Sequence, residues 1–170
     1  SYKVDGIWGW RTTAAIKKFQ KAKGLVADGI VGAKTEKALG ITLSGGKKSG
    51  TLSSTELNLL ARAVYGEARG EPYAGQVAVA AVILNRVRSS KFPNTVSGVI
   101  YQKGAFTAVS DGQINLTPTS SAYNAARDAL NGWDPTNGCL YYYNPATATS
   151  KWIWSLKVEV RIGRHSFARG

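Results

Sequence analysis

The chain has 170 residues, with 22 Lys and Arg against 10 Asp and Glu, a net charge of +12 and a pI near 10.0. That length allows one full domain with a small appendage, or two small domains, and the charge calls for an acidic partner such as nucleic acid, anionic lipid or bacterial wall polymer. A single cysteine and a single histidine exclude an intramolecular disulfide, a cysteine metal cluster and a histidine-rich zinc site, so no metal or other cofactor is expected.

The basic excess is shared along the chain. Residues 1–50 hold ten Lys and Arg against three acids, and residues 51–170 hold twelve against seven. An even spread, with no zinc finger and no aromatic ribonucleoprotein motif, argues for attraction to a polyanion and against a nucleic acid as partner. No apolar run reaches the roughly eighteen residues of a membrane-spanning helix.

An internal repeat opens the chain. Asp5-Gly6-Ile7-Trp8-Gly9-x-x-Thr12 recurs as Asp28-Gly29-Ile30-Val31-Gly32-x-x-Thr35, offset by 23 residues. Each copy reads as an Asp-Gly turn followed by a helix opened near a Thr. The first helix is expected to bury Ala15, Phe19 and Ala22, and the second Ala38 and Leu39. Residues 5–20, then Gly24-Leu25, then 28–35 resemble the peptidoglycan-binding domain found at the ends of bacterial wall hydrolases. That family carries a further helix upstream, so residues 1–40 read as a partial, truncated wall-binding module. Residues 41–55, rich in Gly, Ser and Thr with Lys47-Lys48, have linker composition.

A capping box, Ser53-x-x-Glu56, predicts the next helix. Its apolar stripe is Leu57, Leu60, Ala61, Val64 and Ala68, and Glu67 falls at the edge of that stripe, half sheltered. Gly70 and Pro72 break the helix, with Pro72 placed in the first turn of its successor. Spacing alone leaves open whether Glu67 is functional or merely pairs with Arg62 or Arg69. The following segment, to Arg88, is apolar on nearly every face up to Asn85, the mark of a buried central helix. A short helix is expected over 96–101, an irregular cleft wall over 104–112, and a helix over 119–130 with Ala122, Ala125, Ala126 and Ala129 on one face. Leu140 to Pro145 and Lys157 to Ile162 read as two strands that pair antiparallel.

The chemistry available to residues 56–170 is narrow. Cys139 reads as a small buried residue, and no phosphate loop or dinucleotide fingerprint is present. Carboxylate acid/base work remains, with Glu67, Glu71 and Asp111 as candidates; only Glu67 has sheltered helical placement. Phe106, Trp133, Tyr141, Tyr142, Tyr143, Trp152 and Trp154 lie near the amides Gln102, Gln113, Asn115 and Asn144, a set suited to stacking on and hydrogen-bonding sugars, although each aromatic taken singly fits core packing.

Residues 59–167 resemble the spore cortex-lytic enzymes, germination-specific lytic transglycosylases among the cell-wall hydrolases. The matching residues are Leu60-Ala-Arg-x-Val-Tyr-Gly-Glu67-Ala-Arg-Gly-Glu-Pro72, Gly75 through Val87, Phe92-Pro93, Gln102 to Phe106, Asp134-Pro135, Tyr142-x-Asn144-Pro145 and Ile162-Gly-x-His165-x-Phe167. The resemblance implies an α+β, mainly helical, lysozyme-like catalytic domain over 56–170 with a small antiparallel sheet. It implies cleavage of spore cortex peptidoglycan strands between N-acetylmuramic acid and N-acetylglucosamine, Glu67 serving as acid and then base while a 1,6-anhydro ring closes. Glu71 is the alternative, more simply a structural partner of Arg69 or Arg86. Phe106, Thr107, Tyr142 and Asn144 are the expected substrate contacts, and His165 is expected to hold the fold together. The implied setting is extracytoplasmic, at the cortex, as a secreted mature form; a monomer is the default, with room for a regulatory partner protein in the spore. A hydrolysing muramidase with Asp111 or Glu71 as second carboxylate, or a wall-binding protein without activity, are the alternative readings.

Overall fold

The computed structural model describes residues 10–27, 29, 31, 33–41 and 52–170. The first Asp-Gly turn, Asp28 of the second and most of the expected linker fall outside them. At the N-terminal end, helix α1 (Trp10–Ala22) is followed by α2 (Ala33–Leu39). Their buried faces are not those the apolar spacing suggested: Ala15, Ala22 and Ala38 are exposed, Phe19 and Leu39 half-buried, and the buried side chains are Thr13, Gln20 and Thr35. Polar bonding explains this. The Gln20 amide accepts from the Gly29 N–H (2.8 Å) and donates to Thr35 Oγ1 (3.1 Å), joining the two halves of the repeat.

Helix α3 (Ser54–Ala68) starts at the expected capping box, with Ser53 and Glu56 exchanging their side-chain and backbone bonds. Leu60, Ala61, Val64 and Ala68 are buried as the stripe requires. Pro72 stands immediately before α4 (Tyr73–Arg88), whose residues from Gly75 to Leu84 are all buried. Helix α5 (Val96–Ile100) and the one-turn α6 (Thr107–Ser110) follow, then a 3-10 turn at Gln113–Asn115. The segment read as irregular thus contains a helical turn. Helix α7 (Ser120–Leu130), capped by Thr119, buries its four alanines against α3 and α4, and these three helices enclose the core. No helix among the described residues is long and apolar enough to cross a membrane.

The sheet has three antiparallel strands: β1 (Tyr141–Tyr143), β2 (Val158–Ile162) and β3 (His165–Ala168), in the order β1-β3-β2. The two strands read from sequence do not pair with each other; each pairs with β3, which runs between them. A two-residue turn, Gly163-Arg164, connects Ile162 directly to its partner His165. Gly163 has φ +59°, a conformation that a tight hairpin needs and glycine supplies. Between β1 and β2 lies the short helix α8 (Lys151–Ser155), which exposes Trp152 and Trp154.

A second stripe of α7, Asn124, Asp128 and Asn131, is spaced i, i+4, i+7 and meets helix α1 and the turn at Gly29. Asp128 is 1% exposed. It accepts from Thr13 Oγ1 (2.6 Å) and from Tyr73 Oη (2.7 Å), while Asn131 Nδ2 donates to the Gly29 carbonyl (2.7 Å). Asp128→Ala removes the acceptor that Thr13 and Tyr73 share, a loss of about 1–3 kcal/mol. Hydrogen exchange of the α1 amides is expected to accelerate while α3 and α4 amides keep most of their protection; unchanged α1 protection would show that Asp128 does not fasten this helix.

Candidate active site

Glu67 sits one residue from the C-terminus of α3, where the helix meets α6. Its Oε1 accepts from the Ala108 backbone N–H at 2.7 Å, and its Oε2 accepts from the Tyr142 hydroxyl at 2.7 Å. No arginine pairs with it among the described residues: Arg69 instead lies 5.7 Å from the Tyr65 ring. Gly66 makes the arrangement possible. A Cβ there would come within 2.5 Å of the Ala108 Cβ, so a side chain at 66 would push α6 off the carboxylate.

The tyrosine is a committed donor. Burial first, and then the adjacent Glu67 charge, raise its pKa well above the ordinary phenol value. Its ring is packed edge-on to His165 (5.1 Å) and tilted against Phe106 (6.4 Å) and Phe167 (5.8 Å). Burial lowers the His165 pKa, an effect that the Glu71 and Glu67 charges partly offset. His165 packs as a ring against Tyr142 and Phe167.

Glu67 opens into a cleft of about 760 Å³, within the size range of small-ligand sites. The floor and walls include Arg86, Thr107, Tyr141, Tyr142, Tyr143, Asn144, Trp152 and His165. Of the expected contacts, the structure brings Glu67, Thr107, Tyr142 and Asn144 to this cleft. Phe106 does not line it; at 3% exposure it is core, supporting Tyr142 and Arg86 from beneath. Trp133 packs on Tyr73 (5.9 Å), Gln113 is half-buried away from the lining, and Asn115 and Trp154 are exposed outside it, so only part of the aromatic and amide set gathers at the cleft.

Glu71 is structural, though its partner is neither Arg69 nor Arg86. Its oxygens accept from the Arg164 backbone N–H (2.9 Å) and Nε (2.8 Å), strapping the β2–β3 turn to the α3–α4 junction. The close fit again needs glycine, since a Cβ on Gly163 would collide with the Glu71 carboxylate. Asp111 is exposed and bonded to Gln113. Neither acid lines the cleft, and among the described residues Glu67 is its sole carboxylate. The described residues contain no His, Cys, Asp and Glu cluster arranged to hold a metal ion.

Arg86 in the lining and the Ala108 amide beside it escaped the sequence reading as groups of this site. Arg86 lies in the last turn of α4, just after its apolar run, a visible anomaly that spacing could not place. Ala108 contributes only its backbone, which no side-chain pattern reveals.

The family profile described as Cell Wall Hydrolase matches residues 70–168, more than half of the chain. The chain belongs to the cell wall hydrolase family. Residues 1–39 match the profile of the peptidoglycan binding domain. A spore cortex-lytic enzyme of Bacillus cereus is 50% identical over 98% of this chain and 76% of its own length. Among solved structures, the catalytic domain of the Bacillus cereus SleB protein is 60% identical, with TM-score 0.68 over 74% of this chain and 100% of its own. The catalytic domain of the germination-specific lytic transglycosylase SleB from Bacillus anthracis is 62% identical, with TM-score 0.68 over 71% of this chain and 98% of its own.

Glu71 supplies a pH test of its strap. Burial raises its pKa, but the hydrogen bonds from Arg164 outweigh that and leave it below the usual carboxylate value. A lowered folded pKa stabilises the fold above the unfolded value of about 4.3, and that stability is lost as pH falls through the folded pKa. The urea midpoint of the wild type is expected to exceed that of Glu71→Gln at pH 7, and the gap to close below about pH 4. A gap constant with pH would contradict the strap.

Proposed function

We propose that this protein is a lytic transglycosylase that cuts the glycan strands of spore cortex peptidoglycan between N-acetylmuramic acid and N-acetylglucosamine. The observation that carries this reading is a cleft with one carboxylate among the described residues of its lining, Glu67, held by two neutral donors. Hydrolysis by paired carboxylates needs two acids flanking the bond, about 5–5.5 Å or 6.5–9.5 Å apart. Intramolecular attack needs one. The name of the Bacillus anthracis relative, a germination-specific lytic transglycosylase, supports the same choice.

Protonated Glu67 donates to the glycosidic oxygen as the bond to muramic acid C1 breaks, and the N-acetylglucosamine portion leaves as an alcohol. The muramic acid C6 hydroxyl then attacks C1 and gives its proton to the Glu67 carboxylate. A 1,6-anhydro ring closes, and Glu67 ends as it began. The Ala108 N–H and Tyr142 hydroxyl hold the carboxylate in one orientation through both transfers. Thr107 and Asn144 offer hydrogen bonds to the sugar, and the exposed Trp152, set edge-on to Tyr141 at 5.1 Å, extends a stacking wall.

Residues 1–40 act as the wall-binding module, 41–55 as the linker and 56–170 as the catalytic domain of a monomer working outside the inner spore membrane. The charge of +12 holds the enzyme near a polymer made anionic by its peptide carboxylates, an attraction that salt weakens.

Digestion of purified cortex, with muropeptides read by mass spectrometry, tests the assignment. Wild type is expected to release anhydro-muramic ends, and Glu67→Gln to lose roughly 100- to 10,000-fold in rate, the usual contribution of a general acid. Undiminished release by Glu67→Gln would remove Glu67 from the mechanism.

A further inference from the structure

The floor of the cleft holds a cation that the acid/base scheme does not use. Arg86 is 7% exposed and lines the cleft with Glu67, Tyr141 and Tyr142. Its Nε donates to the Leu140 carbonyl at 2.7 Å. Its guanidinium carbon lies 5.0 Å from the Phe92 ring centre, 5.2 Å from Phe106 and 5.5 Å from Tyr141. No carboxylate pairs with it: the ion pairs among the described residues are Lys157–Glu159 and Arg164–Glu71. The two terminal nitrogens accordingly have no acceptor in the described chain. They are not among its enclosed, partnerless polar atoms either, which leaves them open to the cleft.

Burying a guanidinium without an ion-pair contact is unfavourable, and the ring faces and the Glu67 charge in the same cleft offset the loss of water only in part. The bond to the Leu140 carbonyl uses Nε alone and does not account for the terminal nitrogens. The rings do something more specific: three of them crowd the guanidinium and restrict the positions its terminal nitrogens can take. A fixed guanidinium edge is matched to a planar group bearing oxygen acceptors, and best to a carboxylate.

The two sugars of the strand differ in one substituent. Muramic acid carries a lactyl ether ending in a carboxyl carbon, either free or joined in an amide, and N-acetylglucosamine has no such group. We propose that Arg86 is the residue that tells muramic acid from N-acetylglucosamine, its free nitrogens binding the lactyl carboxyl or carbonyl oxygens. The contact sets the register of the strand, placing the muramic acid C1–O bond, and not its neighbour, at Glu67. The inference rests on the reading of this cleft as the cleavage site, and it makes Arg86 a binding and specificity residue, with no part in proton transfer.

Monosaccharides test it, because they bind without being cleaved. Chemical-shift titration of the wild type with N-acetylmuramic acid, its methylamide and N-acetylglucosamine is expected to rank the acid about 10-fold or more ahead of N-acetylglucosamine, the worth of a charge-assisted hydrogen bond. A strong preference for the acid over the methylamide identifies the free carboxylate as the ligand, and near-equal binding of the two identifies the carbonyl. Arg86→Met keeps the stem and is expected to abolish the preference, the acid and N-acetylglucosamine then binding about equally. Arg86→Lys keeps the charge without the planar edge; it is expected to shrink the preference and raise KM for cortex fragments more than it lowers kcat, and it carries the test if Arg86→Met does not fold. Equal or absent binding of the two sugars to wild type, or a preference that survives both substitutions, would overturn the proposal. Cortex digestion in parallel separates the two claims: an Arg86-dependent preference in a protein that releases no muropeptides would defeat the cleavage reading and the register assignment with it, leaving Arg86 only as a muramic acid contact.

Discussion

The position of one carboxylate organises this molecule. Glu67 is held by the Ala108 amide on one oxygen and the Tyr142 hydroxyl on the other, so the end of α3, the start of α6 and strand β1 must meet at a single point. Each meeting has its own support. Gly66 lets α6 close onto α3. Arg86 and Asn85, at the end of the buried helix α4, hold the chain entering β1 through the Leu140 and Cys139 carbonyls. Glu71 holds the β2–β3 turn, and through β3 the middle of the sheet. Glu67 and Glu71, four residues apart, thereby divide the labour: one faces the cleft with neutral partners, and the other is spent on an arginine.

That division explains what could be read from the chain and what could not. From Ser53 onward, local signals were reliable. The Ser53–Glu56 box started α3, the all-round apolar segment became the central helix, and the alanine face of α7 turned inward, because each rests on spacing within one element. Tertiary pairings were not legible. The choice of Arg164 over Arg69 or Arg86 as the partner of Glu71 depends on a hairpin closing ninety-three residues away along the chain. Strand β3 was hidden in the closing Ile162-Gly-x-His165-x-Phe167 segment, although Gly163 was a hairpin signal in plain view. In the N-terminal helices the apolar pattern misled, since the buried positions there are polar and satisfied by Gln20 and Asp128.

The candidate site followed the same rule. Glu67, Thr107, Tyr142 and Asn144 converge on the cleft, whereas Phe106, equally plausible by residue type, lies underneath as support. An aromatic side chain does not declare in sequence whether it packs or binds. A buried charged residue in the last turn of an apolar helix is more informative, and Arg86 is the instance here.

In the proposed reaction the C6 hydroxyl, and not water, takes the place of the leaving sugar, since Glu67 is the one carboxylate among the described residues of the cleft. Digesting cortex in water enriched in heavy oxygen and weighing the new muramic acid ends tests this most directly. The account predicts anhydro ends with no heavy oxygen incorporated. Reducing muramic acid ends carrying one heavy oxygen each would contradict it.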